Sequence, residues 1–179
     1  DGSVLYYRDS FEHVTDLLLK LDVLLHIQVQ RLRARNTSTK ENTFAGLAVG
    51  DDEVDRLMNA RYQQPDPIPD GTEPQKGSAE QKLHALNQRI GAFVEKSVEN
   101  EIWLSFYQLA KAFRLTEFEM DIILICLAPE LDTKYEKLFA YLHEDITRKA
   151  PTVELIFKLL CRSPRERIDT HAYFLPHAP

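Results

Sequence analysis

The spacing of the apolar residues constrains this chain most, because it follows the three- and four-residue steps of an α-helix. The first such stripe comprises Phe11, Val14, Leu18, Leu21, Leu25 and Leu32. Residues at these steps share one helix face, which packs against another helix. Gln28 interrupts the stripe once, and Leu17 and Leu24 widen its apolar face. The stripe predicts a long core helix over residues 10–35, with an intermolecular coiled coil as the alternative.

Similar periodicity recurs through the second half of the chain. It predicts helices over residues 83–94, 102–113, 117–127, 133–142 and 153–160. The stretch 117–127 is apolar on nearly all sides after its first turn, which is typical of a central helix. Paired strands of alternating polarity are not evident, although residues 145–150 leave room for a short hairpin. We therefore expect a mainly α fold: a multi-helix bundle with a helix-turn-helix or winged-helix-like core and little or no β structure.

Capping residues favour the same helix boundaries. Thr116 followed by Glu119 fits a capping box, in which each side chain satisfies a backbone N–H of the other residue. Ser163 and Pro164 fit the N-cap and the first position of a short last helix. Pro151 fits the first position of the helix predicted over residues 153–160.

Proline and glycine are concentrated between Gln63 and Lys76 and divide the chain. Proline blocks helix and removes a backbone donor, so residues 63–80 are expected to form a linker or loop. A short helix before it begins with Asp51 or Asp52 as its N-cap. The expected division is an N-terminal helical segment at 1–62 with helices at 10–35 and 51–60, a core at 81–173 and a tail at 174–179.

The charge balance limits the ligands of the chain as a whole. Acidic residues number 28 and basic residues 22, and the formal net charge is -6. Binding to nucleic acid or to an anionic membrane depends on Lys and Arg, so neither partner is expected. The first predicted helix ends in a basic run, Arg31, Arg33 and Arg35. We expect these cations to stabilise the negative C-terminal end of the helix dipole, with phosphate binding as the alternative. The longest apolar stretch, residues 122–128, is too short to span a membrane, and a cytoplasmic location is expected.

The sequence offers no arrangement typical of a catalytic, nucleotide or metal site. Its six glycines form no phosphate loop, and its six histidines show no paired ligand spacing. Cys126 and Cys161 lie in apolar helical stretches, as structural cysteines do. Glu130 and Asp132 are close together, but helix capping is favoured over an acid–base pair. We therefore expect a non-catalytic chain, and no catalytic, cofactor or metal residue is assigned.

Residues 107–124 follow the pattern of a helix-turn-helix: a helix, a short turn and a capped helix. In a DNA-binding protein, the second helix presents its first residues to base edges. Those residues here are Glu117, Glu119 and Asp121, which repel phosphates. A DNA-binding regulator remains an alternative function, and a hydrolase with a cryptic site is a second alternative.

Residues 115–155 resemble the winged-helix-like region that precedes the ATPase module in a group of bacterial AAA+ ATPases. Some members of the group accompany contractile injection systems. The resemblance is carried by Leu127-Ala-Pro-Glu-Leu-Asp132, by Ala140-Tyr-Leu142, and by the stretch from Asp145 through Thr147-Arg148 to Pro151-Thr-Val153. The phrase from Gly46-Leu47 to Asp52-Glu-Val-Asp-Arg-Leu57 is also similar to the N-terminal region of that group.

The resemblance implies an N-terminal accessory domain that recognises a protein partner or substrate, or regulates the ATPase. The catalytic module would lie beyond Pro179, and the first residue, Asp1, also favours a piece of a longer protein. ATP and Mg²⁺ would bind to that parent, which would be a homo-hexamer, and not to this chain. Tyr135, Tyr141 and Arg148 are the candidate anchors for a protein partner. The oligomeric state of the chain itself stays open.

Overall fold

The computed structural model describes residues 6–38, 49–59 and 78–175. The regular secondary structure of these ranges is helical. The helices are α1 (Ser10–Ser38), α2 (Asp51–Asn59), α3 (Ala79–Glu99), α4 (Ser105–Phe113), α5 (Glu117–Leu131), α6 (Lys134–His143), α7 (Val153–Leu160) and α8 (Pro164–Thr170). A 3₁₀ turn, His171–Phe174, follows α8. These ranges contain no strand, so the mainly α prediction is confirmed.

The long first helix, α1, occupies the centre of the fold. It contacts α3, α4, α5, α6 and α7. The helix over 117–127, which was expected to be central, is part of α5 and contacts α1, α6 and α7. Leu124, Ile125 and Ala128 are buried in the core, whereas Leu131, beyond the predicted range, is 47% exposed.

One hydrophobic core joins the two halves of the sequence. Leu21 and Leu25 of α1 and Val54 of α2 belong to the same buried cluster as Leu138 and Phe139 of α6. The N-terminal segment therefore packs its apolar face against the helices that follow residue 78. The expected linker lies mostly within residues 60–77, outside the described residues, and the end of the expected tail, 176–179, lies outside them too.

The predicted caps of α5 and α8 are confirmed. Thr116 N donates to Glu119 Oε2 at 2.7 Å, and Glu119 N donates to Thr116 Oγ1 at 3.3 Å. Ser163 caps α8, and Pro164 takes its first position. A further capping box, which the sequence analysis did not single out, starts α3 at Ser78. Each box satisfies backbone donors that a helix start leaves without partners.

Two helix starts differ from the prediction. The residues Asp51 and Asp52 lie inside the first turn of α2 and are not its N-cap. The carbonyl oxygen of Gly50 accepts from Glu53 N at 3.0 Å, so the acidic side chains face the positive end of the helix dipole instead. The helix α7 is capped by the Thr152 side chain, and Pro151 precedes that cap.

Two further features differ from the prediction. Helix α5 continues through Pro129 to Leu131, because proline in a last turn still has a helical φ angle. Residues 145–150 form a turn and no hairpin. The Asp145 side chain accepts from both Thr147 N, at 3.0 Å, and Thr147 Oγ1, at 2.6 Å, and this local bonding replaces strand pairing.

Candidate functional site

Helices α4 and α5 and the turn between them form a helix-turn-helix, as predicted. Helix α4 ends at Phe113, and its C-cap residue, Arg114, has a left-handed φ of 56°. Leu115 N donates to the Ala110 carbonyl at 2.9 Å. The capping box at Thr116 then starts α5. Phe106 of α4 is buried in the shared core, which fixes this unit against the rest of the bundle.

The first turn of α5 is acidic, and it is tied to α1. Lys20 of α1 is buried, and its Nζ lies 3.2 Å from Glu117 Oε1 and 2.9 Å from Asp121 Oδ1. Burial raises the pKa of Asp121, while Lys20 opposes the rise. Glu119 is held in the capping box, and its bonds to Thr116 lower its pKa. Of these three carboxylates, that of Glu117 is exposed, and it lies where a DNA-reading helix presents donors to base edges.

The three candidate anchors differ in accessibility. Tyr135 is 0% exposed, so its expected surface role was wrong in this fold. It lies on the same face of α6 as Leu138 and Phe139, which pack into the core. Tyr141 is half-buried and bridges three helices: Arg33 Nε donates to its hydroxyl at 3.1 Å, and that hydroxyl donates to Asp51 Oδ1 at 2.5 Å.

Arg148 is the most accessible of the three anchors. Its side chain is 61% exposed, and its Nε lies 3.2 Å from Asp145 Oδ2 in the turn after α6. The structure does not bring Arg148 together with Tyr141 through any described contact. Among the three anchors, only Arg148 is well placed for a partner to reach.

A pocket of about 310 Å³ lies where the C-terminal half of α1 meets α6, α7 and α8. Four cationic side chains line it: Arg31, Arg35, Lys158 and Arg167. Leucines 32, 142 and 155 supply apolar lining, and the Gln28 amide, which also lines it, donates to the Lys158 carbonyl. We call this site the basic pocket.

Two cations of the basic pocket are already paired. Arg35 Nη2 lies 2.9 Å from Glu144 Oε2, and Lys158 Nζ lies 2.7 Å from Glu154 Oε1. Helix α1 extends to Ser38, so Arg31 is almost two turns from its end and cannot complement the dipole as expected. Arg33 turns instead toward α2, where its Nη1 donates to Asp55 Oδ1 at 2.8 Å.

Sequence reasoning identified Arg31 and Arg35 but missed Lys158 and Arg167. Neither missed residue belongs to a motif, and each is separated from Arg31 by more than a hundred residues of chain. The heptad-like spacing of α1 did carry a signal, because Gln28, Arg31 and Arg35 follow one another at three- and four-residue steps. This polar stripe on a core helix indicates that one side of the helix faces away from the core. It does not identify the other helices that complete the pocket.

Two large aromatic side chains are exposed near the start of α1. Phe11 is 66% exposed and Trp103 is 69% exposed. Ser10 Oγ donates to the Trp103 carbonyl at 3.0 Å, and Ser105 N donates to Ser10 Oγ at 2.9 Å, so the chain holds both aromatics beside one polar junction. Exposed tryptophan and phenylalanine are enriched at protein interfaces.

A buried polar cluster joins the start of α1 to α3. The Tyr7 hydroxyl donates to Asp16 Oδ2 at 2.9 Å, and Arg89 Nη2 donates to Asp16 Oδ1 at 2.7 Å. Burial raises the pKa of Tyr7 and that of Asp16. The ring of His13 lies 5.1 Å from the ring of Tyr7, and burial lowers the pKa of His13 to about 4. Through Asp16 and Arg89, this cluster links α1 to α3.

The residues considered for chemistry occupy structural positions. Cys161 is buried as expected, but Cys126 is exposed, because α5 turns that side away from the core. Asp132 Oδ1 accepts from Lys134 N at 2.8 Å at the start of α6, which is the capping role predicted for it, whereas Glu130 is exposed.

Within the described ranges, no three His, Cys, Asp or Glu residues are grouped so that they can hold a metal ion. No helix of those ranges is long and apolar enough to cross a membrane.

Comparison with known proteins identifies the family from the sequence as a whole. Neither the curated proteins nor the solved structures include a significant match to this chain. The family model described as "Winged helix domain, variant" matches residues 1–179. The helix-turn-helix of α4 and α5 agrees with that match. The described residues contain helices and no strand. The chain therefore belongs to the variant winged helix domain family.

Proposed function

We propose that this chain is a non-catalytic accessory domain that recognises a protein partner or substrate for an AAA+ ATPase. The acidic first turn of α5 carries the proposal. Lys20 neutralises only part of it, and Glu117 remains 78% exposed. An exposed carboxylate at this position of a helix-turn-helix is suited to a protein surface, whereas it would repel DNA phosphates.

Three further observations support this proposal. The resemblance of residues 115–155 to the region before an AAA+ ATPase module favours an accessory role. The exposed side chains of Phe11 and Trp103 are of the type that anchors protein interfaces. Arg148 offers an accessible guanidinium in the turn after α6. In this proposal, ATP and Mg²⁺ bind to the parent protein, which assembles as a homo-hexamer in the cytoplasm.

The test compares the parent protein with a version that lacks residues 1–179. The reading frame after Pro179 is expected to encode a Gly-x-x-x-x-Gly-Lys-Thr/Ser loop. The deletion is expected to leave basal ATP hydrolysis in place and to abolish its stimulation by the partner. The isolated chain is expected to hydrolyse no ATP above background. A reading frame without the phosphate loop, or turnover by the isolated chain, would contradict the proposal.

DNA binding is the second candidate function, because the family and the helix-turn-helix favour it. Duplex binding would then weaken steeply as salt is raised, since the interaction releases counterions. We expect fluorescence anisotropy to show no such salt-dependent binding to random duplex DNA. The charge-reversed variant Glu117→Lys serves as the control, because it removes the repulsion at the exposed start of α5.

A further inference from the structure

The basic pocket concentrates positive charge, although the chain as a whole is acidic. Arginine and lysine from α1, α7 and α8 meet in about 310 Å³, while the formal net charge of the chain is -6. Like charges at such a site repel one another, and an anion that binds there relieves this repulsion. The pocket therefore favours an anionic ligand.

Two of its four cations form no ion pair within the described residues. Glu144 pairs with Arg35 and Glu154 pairs with Lys158, and neither glutamate is part of the pocket lining. The guanidinium groups of Arg31 and Arg167 have no ion pair or hydrogen bond within residues 6–38, 49–59 and 78–175. A guanidinium presents a planar set of donors that matches the two oxygens of a carboxylate.

The lining of the basic pocket is also partly apolar. Leu32, Leu142 and Leu155 come from three different helices and line it between the cations. Its volume is at the small end of the usual range for ligand sites, so the occupant is one or two side chains of a larger molecule. A ligand that places an apolar side chain between carboxylates matches both the leucines and the arginines.

We propose that the basic pocket binds an acidic peptide segment in which carboxylates flank an apolar side chain. The inference deepens the proposed function, on which it rests for the assignment of that segment to the protein partner. Arg31 and Arg167 bind the carboxylates, and the leucines contact the apolar side chain. The site lies on the opposite half of α1 from the exposed aromatic residues, so the two surfaces contact separate parts of a partner.

Two exposed glutamates beside the cations of the pocket disfavour a nucleic-acid strand. Glu144 and Glu154 are 51% and 67% exposed beside the cations with which they pair. A strand carries one phosphate per nucleotide and extends beyond a pocket of this size, so it meets these carboxylates. A peptide segment can place uncharged residues there.

Fluorescence anisotropy with a labelled GSELEGS peptide, whose carboxylates flank one leucine between uncharged ends, tests the inference. We expect saturable binding by the whole chain at low salt, and no binding of the matched GSQLQGS peptide. The double variant Arg31→Gln/Arg167→Gln is expected to weaken binding about tenfold or more, since two charge-assisted interactions are lost. Arg162→Gln/Arg165→Gln is the matched control, because it also removes two positive charges and both residues are exposed and do not line the pocket. We expect that variant to change binding less than about twofold.

Each result either supports or overturns the inference. Equal losses in the control and in Arg31→Gln/Arg167→Gln would show that net charge alone attracts the peptide. Tighter binding of an oligothymidylate than of the peptide, with the same dependence on Arg31 and Arg167, would make this a phosphate site. Absence of peptide binding would also overturn the inference, whereas the deletion test on the parent protein would still decide the proposed function. Circular dichroism of each variant confirms its fold.

Discussion

His13 provides a sharp test of how the buried cluster between α1 and α3 contributes to stability. The residue is 4% exposed, and its Nδ1 has no hydrogen-bond partner within the described ranges. Burial lowers its pKa from 6.5 to about 4, because the charged ring loses its hydration. Replacement of His13 by leucine removes both the ionisable group and the buried nitrogen.

The direction of the pH effect follows from the protons that each state binds. Between pH 6.5 and pH 4, the unfolded chain binds a proton on His13 and the folded chain does not, so stability falls as the pH is lowered. One pKa unit corresponds to about 1.4 kcal/mol, and the loss between pH 7 and pH 5 is therefore about 2 kcal/mol. The raised pKa of Asp16 acts in the opposite direction in both proteins.

Urea unfolding followed by circular dichroism measures this difference. The free energy of unfolding of His13→Leu minus that of the unmodified protein is expected to increase by about 2 kcal/mol when the pH is lowered from 7 to 5. His84→Leu is the control, because His84 is an exposed residue of α3 and its loss should leave the pH dependence in place. An equal loss of stability in the His13 variant and the unmodified protein would refute the reasoning.

Two other predictions concern the packing of α1 and the start of α5. Leu25→Ala removes a fully buried side chain of the central helix and is expected to cost about 2–5 kcal/mol in urea unfolding. Leu19→Ala, at a position that is 43% exposed, is expected to cost much less, and similar costs would contradict the central place of α1. Thr116→Ala removes the acceptor of the Glu119 N–H and is expected to cost about 1 kcal/mol, whereas Thr116→Ser should recover most of that loss. A serine variant as unstable as the alanine variant would show that the cap contributes nothing.

The prediction of the helices depended on local sequence, and it succeeded for that reason. The capping box at Thr116 and the N-cap at Ser163 are bonds between residues three positions apart, so the sequence holds both partners. Tyr135 shows the limit of this reasoning. Its spacing from Leu138 and Phe139 already placed it on the apolar face of α6, and this signal argued against its selection as a surface anchor.

The basic pocket was beyond the reach of sequence reasoning. Arg31 belongs to α1, while Lys158 and Arg167 come from α7 and α8. Their proximity depends on how α7 and α8 pack against α1, and no local pattern encodes that arrangement. For the same reason, Lys20 was not recognised as the partner of Glu117 and Asp121.

The sequence by itself determined the helical class, most helix boundaries, the caps of α5 and α8 and the acidic start of α5, because each depends on residues within a few turns of one another. Only the tertiary structure decided that α1 is the central helix, that Tyr135 is buried, and that cations from three helices meet in one pocket. Those features depend on contacts between distant residues, and the periodicity of a helix identifies the face that is buried without identifying what covers it.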